Sequence, residues 1–265
     1  MSTNALKIIA LILMVIDHIG VFIPNTPIFL NILGRASAPI FIFCTMLGFY
    51  YTHNRKIYLT RIYIFCVIMG FIDYFLNIMF KKPYTLTFNN IFSTLFITCL
   101  SIYLYENLKD KKFKNLKLFV FFILNILIMN LSNIIINITG SNLISTIIYG
   151  ILPTMFTCEG SIIIVALGFV FYSYKSSKKS ILKGYLIYCM LYFLLTLLIN
   201  TPILNINTLP WSKYLFYENI QWLQIWALPF ILTYNGKKGI NMKYLFYIFY
   251  PTHIIILFIL GNIMF

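Results

Sequence analysis

The sequence predicts an all-α polytopic membrane protein with about nine transmembrane helices (nine to ten) in one bundle. Only 10% of its residues are charged and 61% are hydrophobic, whereas about 25% of the residues in an average soluble domain are charged. The mean hydropathy is +0.89. Apolar runs of about 20 residues, the length that crosses a bilayer, recur from end to end. We therefore expect one integral-membrane domain over residues 1–265.

The predicted spans are separated by short polar or basic loops. In chain order they are 6–23, 28–51, 57–80, 88–105, 116–138, 156–174, 181–200, 218–235 and 243–264.

One irregular segment is expected near 141–160. The apolar stretch before Pro153 is too short to cross the hydrocarbon, so the sequence favours a re-entrant or surface-lying piece packed on protein. Counting this segment as a span gives ten helices. Every later loop then lies on the opposite side of the membrane, and the loop charges no longer agree with the positive-inside rule.

The basic residues indicate an orientation in the membrane. The net charge is +14, and the lysines and arginines concentrate in alternate loops, at 55–56, 109–117, 175–183 and 237–243. The loops at 24–27, 139–142 and 201–212 contain neither residue. By the positive-inside rule the basic side is cytoplasmic, which predicts a cytoplasmic N-terminus and a C-terminus outside. Loop lysines also attract anionic lipid, so the charge indicates a lipid bilayer as partner and not nucleic acid.

The first predicted span carries three ionisable side chains, Lys7, Asp17 and His18. Such groups cost roughly 2.5–3.5 kcal/mol each inside a membrane, so they are candidates for function. At about 100° per residue, Lys7 and His18 share one helix face and lie roughly 16 Å apart along the axis. A cation at the membrane edge and an imidazole deeper in the membrane, both on one helix face, suit an elongated anionic ligand. The reactive end of such a ligand would lie close to the imidazole.

Asp17 is rotated by about 100° from His18, so we expect it to pair with a cation on a neighbouring helix. Arg35 is the obvious cation, and it lies in a run of small residues that lets helices approach closely. It is equally suited to neutralising Asp17 or Asp73 and to binding substrate.

Two further groups combine ionisable and aromatic side chains. Arg55, Lys56 and Arg61 form a basic cluster that either sets topology or binds phosphate. Near the end of the chain, Pro251 removes one helical hydrogen bond, and His253 and Tyr250 lie beside this kink as candidate walls of a site.

No phosphate-binding loop, dinucleotide fingerprint or metal motif is present. The three histidines lie on three separate segments, so we expect no metal. The five dispersed cysteines are predicted to be core or lipid-facing thiols. The chemistry that remains is group transfer assisted by a base.

Four stretches together carry a family resemblance: LKIIALILMVIDHIG, GRASAPIFIF, HNRKIYLTR and YNGKKGINMKYLFYIFYPTHIIIL. In this order they resemble the TraX family of bacterial membrane proteins, known for acetylating the N-terminus of conjugative pilin. The family is similar to the wider integral-membrane acyltransferases, whose first helix carries a basic residue, ten intervening residues and a histidine. Lys7 and His18 match that pattern, with Lys where Arg is usual.

The resemblance implies an acetyl-CoA-dependent N- or O-acetyltransferase in a bacterial inner membrane. Acetyl-CoA is the implied co-substrate, with Lys7, Arg55, Lys56, Arg61 and Tyr250 expected to bind it. His18 is the expected general base, and Asp17 and His253 complete the expected catalytic group. His253 or a tyrosine hydroxyl is expected to stabilise the oxyanion.

The acceptor expected from this resemblance is a peptide, a pilin-like chain or a glycan. The polar side chains expected to bind it are Arg35, Asp73, Asn90, Glu159 and Gln221.

Two other function classes remain open. Buried Asp, Glu and His side chains also suit a proton relay in a proton-coupled transporter of small molecules. No inverted repeat or pair of broken helices supports that alternative. A purely structural role as a membrane subunit would not explain why Lys7 and His18 lie on the same face of a membrane helix.

Overall fold

The computed structural model describes residues 1–80, 90–139, 142–174, 177–199, 210–240 and 242–264. The side chains of 136, 139, 142–146 and 243 are not described. Every regular element within these ranges is helical, so the predicted all-α class is confirmed.

Twelve α-helices follow one another along the described chain. They are α1 (Thr3–Phe22), α2 (Phe29–Gly34), α3 (Ser37–Tyr51), α4 (Arg55–Met79), α5 (Ile91–Leu108), α6 (Lys114–Thr139), α7 (Asn142–Ile151), α8 (Ser161–Ser173), α9 (Lys178–Ile199), α10 (Trp211–Lys213), α11 (Leu228–Leu232) and α12 (Lys243–Ile263). Between α10 and α11 lie a π-helical turn, Tyr214–Glu218, and a 3₁₀ helix, Ile220–Ala227.

Within the described ranges, seven helical stretches are long and apolar enough to span a membrane when α2 and α3 are counted together as Phe29–Tyr51, fewer than the nine predicted. The two predicted spans that fall short are 156–174 and 218–235. The first is helical only over the 13 residues of α8, about 20 Å at 1.5 Å per residue. Gly160 precedes it with a φ of +72°, a conformation that ends regular helix on that side. The second is divided among π, 3₁₀ and α turns.

The chain forms two compact units. Unit 1 comprises Met1–Cys44 and Val170–Phe265, and unit 2 comprises Thr45–Phe169. The single domain over 1–265 stays a prediction.

In unit 1, α1 and α12 pack side by side and run parallel. Lys7 contacts Phe246 near the start of both helices, and Phe22 contacts Phe258 near their ends. At that far end the helices approach closely, since a Cβ on Gly261 would lie 2.3 Å from the Phe22 carbonyl oxygen. This parallel packing places the face shared by Lys7 and His18 against the last helix.

In unit 2, the short helix α7 packs against α4. Their backbones meet at two glycines, because a Cβ on Gly150 would lie 2.9 Å from the Cα of Gly70. The irregular turn after α7 is held by Asn125, whose Oδ1 accepts from the N–H of Met155 at 3.0 Å. Met155 joins a core cluster with Ile97, Cys158 and Val165. The irregular segment predicted near 141–160 is therefore present, packed on protein.

Candidate functional site

Two histidines from opposite ends of the chain meet in unit 1. The Nδ1 atom of His18 lies 2.8 Å from the Nε2 atom of His253, and the rings stack with centroids 5.0 Å apart and planes at 18°. His253 is only 6% exposed. The pair therefore joins α1 to α12 well inside two apolar helices.

The hydrogen-bond partners assign a tautomer to each ring. The Nδ1 atom of His253 lies 3.0 Å from the carbonyl oxygen of Phe249. A carbonyl only accepts, so this nitrogen carries the hydrogen and Nε2 of a neutral His253 is an acceptor. His18 then donates through Nδ1, which leaves its own Nε2 as an unprotonated acceptor. This one nitrogen is available to take a proton.

Aromatic rings line the histidine pair. The Phe249 ring stacks on His253 at 5.4 Å, and Tyr250 meets the same imidazole edge-on at 5.4 Å. The ring of Phe22 lies 5.9 Å from that of His18. The histidine pair therefore lies in a mainly aromatic environment.

Lys7 lies on the same face of α1 as His18, as their spacing predicts. Its Nζ lies 5.0 Å from the centroid of the Phe246 ring, and Phe246 and His253 lie two turns apart on α12. Leu11 and Met14, between the two polar residues on α1, are buried. The lysine and the histidine pair thus lie along one seam between α1 and α12.

A second polar cluster lies on another side of α1. The Nη2 atom of Arg35 donates to Oδ1 of Asp17 at 2.5 Å and also to Oδ2, and its Nη1 donates to Oε1 of Gln221 at 3.0 Å. The Asn31 amide donates to the same Asp17 carboxylate. The prediction that Asp17 pairs with Arg35 is therefore confirmed, and the cluster ties α1 to α2 and to the 3₁₀ helix.

Small side chains make this cluster possible. A Cβ on Gly34 would lie 2.2 Å from the Cβ of Asp17, so only glycine lets α2 approach α1 at that level. The Asp17 and Arg35 side chains are 15% and 23% exposed. An ion pair this enclosed is costly to break, because removal of one partner leaves a buried charge.

Gln224 extends the polar surface one turn beyond Gln221, since residues three apart eclipse each other in a 3₁₀ helix. Its side chain is fully buried and interacts with the Tyr188 hydroxyl, although no contact of its Nε2 or Oε1 with a described residue has full hydrogen-bond geometry. Tyr185 instead donates to the backbone carbonyl of Gln224 at 2.6 Å.

The predicted basic cluster lies in unit 2. Arg55 forms an ion pair with Glu106, and its guanidinium carbon lies 5.1 Å from the centroid of the Phe49 ring. Lys56 is exposed and Arg61 is partly exposed. Binding of acetyl-CoA by these three cations stays a prediction.

The remaining predicted acceptor residues of unit 2 have separate local environments. Asp73 is buried on α4. Asn90 is the N-cap of α5, and its side chain accepts from the N–H of Ser93 at 2.9 Å. The backbone oxygen of Glu159 accepts from the Thr94 hydroxyl at 2.9 Å. All three belong to unit 2, whereas the histidine pair belongs to unit 1.

Sequence reasoning missed two features of the site. It did not pair His18 with His253, which lies 235 residues away, because no periodicity connects α1 to α12. It also treated Lys237 and Lys238 as topology signals alone, although hydrogen bonds hold their loop against the start of α1. The one available signal was the glycine on each side of these lysines.

Comparison with known protein families gives a match. A family model described as TraX protein matches residues 2–261, nearly the whole chain. No curated protein and no solved structure matches the chain.

Proposed function

Because the chain belongs to the TraX family, we propose that it is a membrane-embedded acetyltransferase. It moves an acetyl group from acetyl-CoA to an amine or hydroxyl of a peptide, pilin-like or glycan acceptor. The family's association with pilin acetylation in conjugation supports this reaction class. The observation that carries the proposal is the histidine pair, which leaves Nε2 of His18 as a proton acceptor.

His18 is the general base of the proposed reaction. Its Nε2 takes the proton from the acceptor amine or hydroxyl as that group attacks the acetyl carbonyl. The new bond to the carbonyl carbon forms, and the carbon–sulfur bond to CoA then breaks. The proton returns from His18 to the departing thiolate, so the imidazole ends neutral and free CoA is released.

His253 positions the base in this scheme. Phe249 fixes its tautomer, and its Nε2 orients His18 by accepting from Nδ1. When His18 gains a proton, this hydrogen bond becomes charge-assisted and therefore stronger. Both nitrogens of His253 are engaged, so an oxyanion donor has to come from elsewhere, and the candidate on α12 is the hydroxyl of Tyr250, whose ring contacts His253 edge-on.

Lys7 holds the anionic end of acetyl-CoA in the proposed complex. The helical rise separates it from His18 by roughly 16 Å, a distance that an extended pantetheine arm covers. The cofactor enters from the cytosol, which agrees with the orientation predicted from the loop charges. The chain is a multi-pass membrane protein, and we assign it to the bacterial inner membrane with its N-terminus in the cytoplasm.

The test is transfer from radiolabelled acetyl-CoA by the purified full-length chain to peptide and glycan acceptors. His18→Ala is expected to lower the rate by roughly 10²–10⁴-fold, the usual contribution of a general base. Ile12→Ala, on an exposed position of the same helix, is the matched control and is expected to behave as wild type.

Transfer that persists undiminished in His18→Ala would remove His18 from the mechanism. If the wild-type chain labels no acceptor and instead takes up solute driven by a pH gradient in proteoliposomes, the transporter alternative replaces the enzyme.

A further inference from the structure

The loop at 235–240, between α11 and α12, has no role in the mechanism above. Its sequence is NGKKGI, and both glycines adopt left-handed backbone, with φ of +79° at Gly236 and +80° at Gly239. Lys237 and Lys238 are exposed between them. Two adjacent cations therefore lie in a short loop whose backbone conformation is set by the flanking glycines.

Hydrogen bonds fix this loop against the start of α1. The N–H of Thr3 donates to the Lys237 carbonyl at 2.9 Å, and the N–H of Asn4 donates to the Lys238 carbonyl at 3.1 Å. The N–H of Asn235 donates to the Met1 carbonyl at 2.9 Å. The loop carbonyls thus accept hydrogen bonds from the first N–H groups of α1. These hydrogen bonds also hold the backbone of the two lysines against the start of that helix.

Lys7, one to two turns along α1, has no acidic partner within the described residues, where the ion pairs are Arg35 with Asp17 and Arg55 with Glu106. Lys238 is another cation, and the hydrogen bond from the N–H of Asn4 to its carbonyl holds its backbone about one helical turn from Lys7. Like charges held together in a partly buried place repel each other unless an anion lies between them. A bound anion would offset this repulsion.

Backbone donors accompany the two ammonium groups. The N–H groups of Lys238, Gly239 and Ile240 make no hydrogen bond to any described residue. The N–H of Lys237 is already held by the side chain of Asn235 at 3.1 Å. Free N–H groups beside cations suit the oxygens of a phosphate.

We propose that Lys7, Lys238 and the backbone of residues 238–240 form a phosphate-binding site where α1 and α12 begin. The phosphate belongs to the acyl donor, and this assignment rests on the proposed acetyltransferase function. A lipid headgroup offers the same phosphate chemistry, so the experiment separates the two sources. Binding of CoA is measured directly, because binding does not depend on whether transfer occurs.

The experiment measures CoA binding to the full-length chain in nanodiscs of phosphatidylcholine. Lys238→Ala is expected to weaken binding about tenfold or more, as loss of a charge-assisted contact to phosphate does. Lys238→Arg restores most of the affinity because it keeps the charge. Lys179→Ala removes an exposed lysine on α9 and is expected to leave binding unchanged. Unchanged unfolding temperatures confirm that each variant is folded.

Binding of 3′-dephospho-CoA shows which phosphate is held. Equal loss of affinity for CoA and dephospho-CoA in Lys238→Ala assigns the pyrophosphate, and loss for CoA alone assigns the 3′-phosphate. Both results support the site.

Equal CoA affinity in wild type and Lys238→Ala overturns the assignment. The assignment is also overturned if Lys238→Ala keeps its CoA affinity but binds less phosphatidylglycerol in nanodiscs that contain this lipid. The phosphate bound at the site would then be that of a lipid headgroup. Normal CoA binding together with undiminished transfer by His18→Ala would exclude His18 as the general base. It would not contradict the phosphate-binding site.

Discussion

At the scale of single residues, His253 determines which nitrogen of His18 is available. It accepts from Nδ1 of His18 and donates its own Nδ1 hydrogen to the Phe249 carbonyl. A residue in this position acts through its neighbour, so its loss affects the rate constant more than the affinity for acetyl-CoA.

His253→Ala is expected to lower kcat by less than the roughly 10²–10⁴-fold effect of removing the base itself. KM for acetyl-CoA stays near the wild-type value, while the pH–rate profile shifts because His18 loses its hydrogen-bond acceptor. Thr252→Ala, on an exposed neighbouring position, is the control. A wild-type kcat and pH profile in His253→Ala would show that His253 does not position His18.

Gln224 permits a separate prediction about stability. Within the part of the chain that the structure describes, its buried side-chain amide interacts with the Tyr188 hydroxyl but makes no hydrogen bond of full geometry, and a buried polar group that is poorly satisfied costs about 1–3 kcal/mol. Gln224→Leu is therefore expected to keep or raise the thermal unfolding temperature. Gln221→Leu, which removes the acceptor of Arg35, is expected to lower it. A large loss of stability in Gln224→Leu would show that the amide is satisfied.

At the scale of elements, the ion pair of Asp17 and Arg35 joins α1 to α2. Arg35→Leu or Asp17→Leu alone leaves one enclosed charge without its partner, which costs about 3–5 kcal/mol. The double variant removes both charges and is expected to be more stable than either single variant. Unfolding temperatures of the four proteins measure this coupling, and additive losses would mean that the pair does not act as a unit.

Hydropathy predicts most of the helices because a membrane span needs a long apolar run, and such runs are visible in the sequence. It overestimates the length of continuous helix in two places. The helix α8 begins only after Gly160, and π and 3₁₀ turns interrupt the stretch from α10 to α11. Window hydropathy counts apolar residues and does not register where the backbone changes its hydrogen-bonding pattern.

At the scale of the whole molecule, the parallel packing of α1 and α12 determines where the termini lie. Both helices are long enough to span, and parallel spans begin on the same side of the membrane. We therefore predict that an N-terminal tag and a C-terminal tag are accessible from opposite sides. Protease protection in inverted and right-side-out vesicles measures this, and tags digested together in one orientation would contradict the packing.

The candidate site shows how far sequence reasoning reaches. The 3.6-residue period places Lys7 and His18 on one face, and the offset of Asp17 from His18 leads to Arg35 as its partner. Neither argument identifies His253 as the partner of His18 or Glu106 as the partner of Arg55, because pairings between helices depend on tertiary packing. The charge of Lys238 is visible in the sequence, but its position against the start of α1 follows from hydrogen bonds between that helix and a loop more than 200 residues away.

The most direct measurement of the central claim is ¹⁵N NMR of the histidine rings in the full-length protein. The chain has three histidines, so a His53→Gln background leaves only His18 and His253 to observe. The account predicts a coupling across the hydrogen bond from His18 Nδ1 to His253 Nε2, with His18 Nε2 unprotonated. A His18 ring that carries its hydrogen on Nε2, or two rings without coupling, would contradict it.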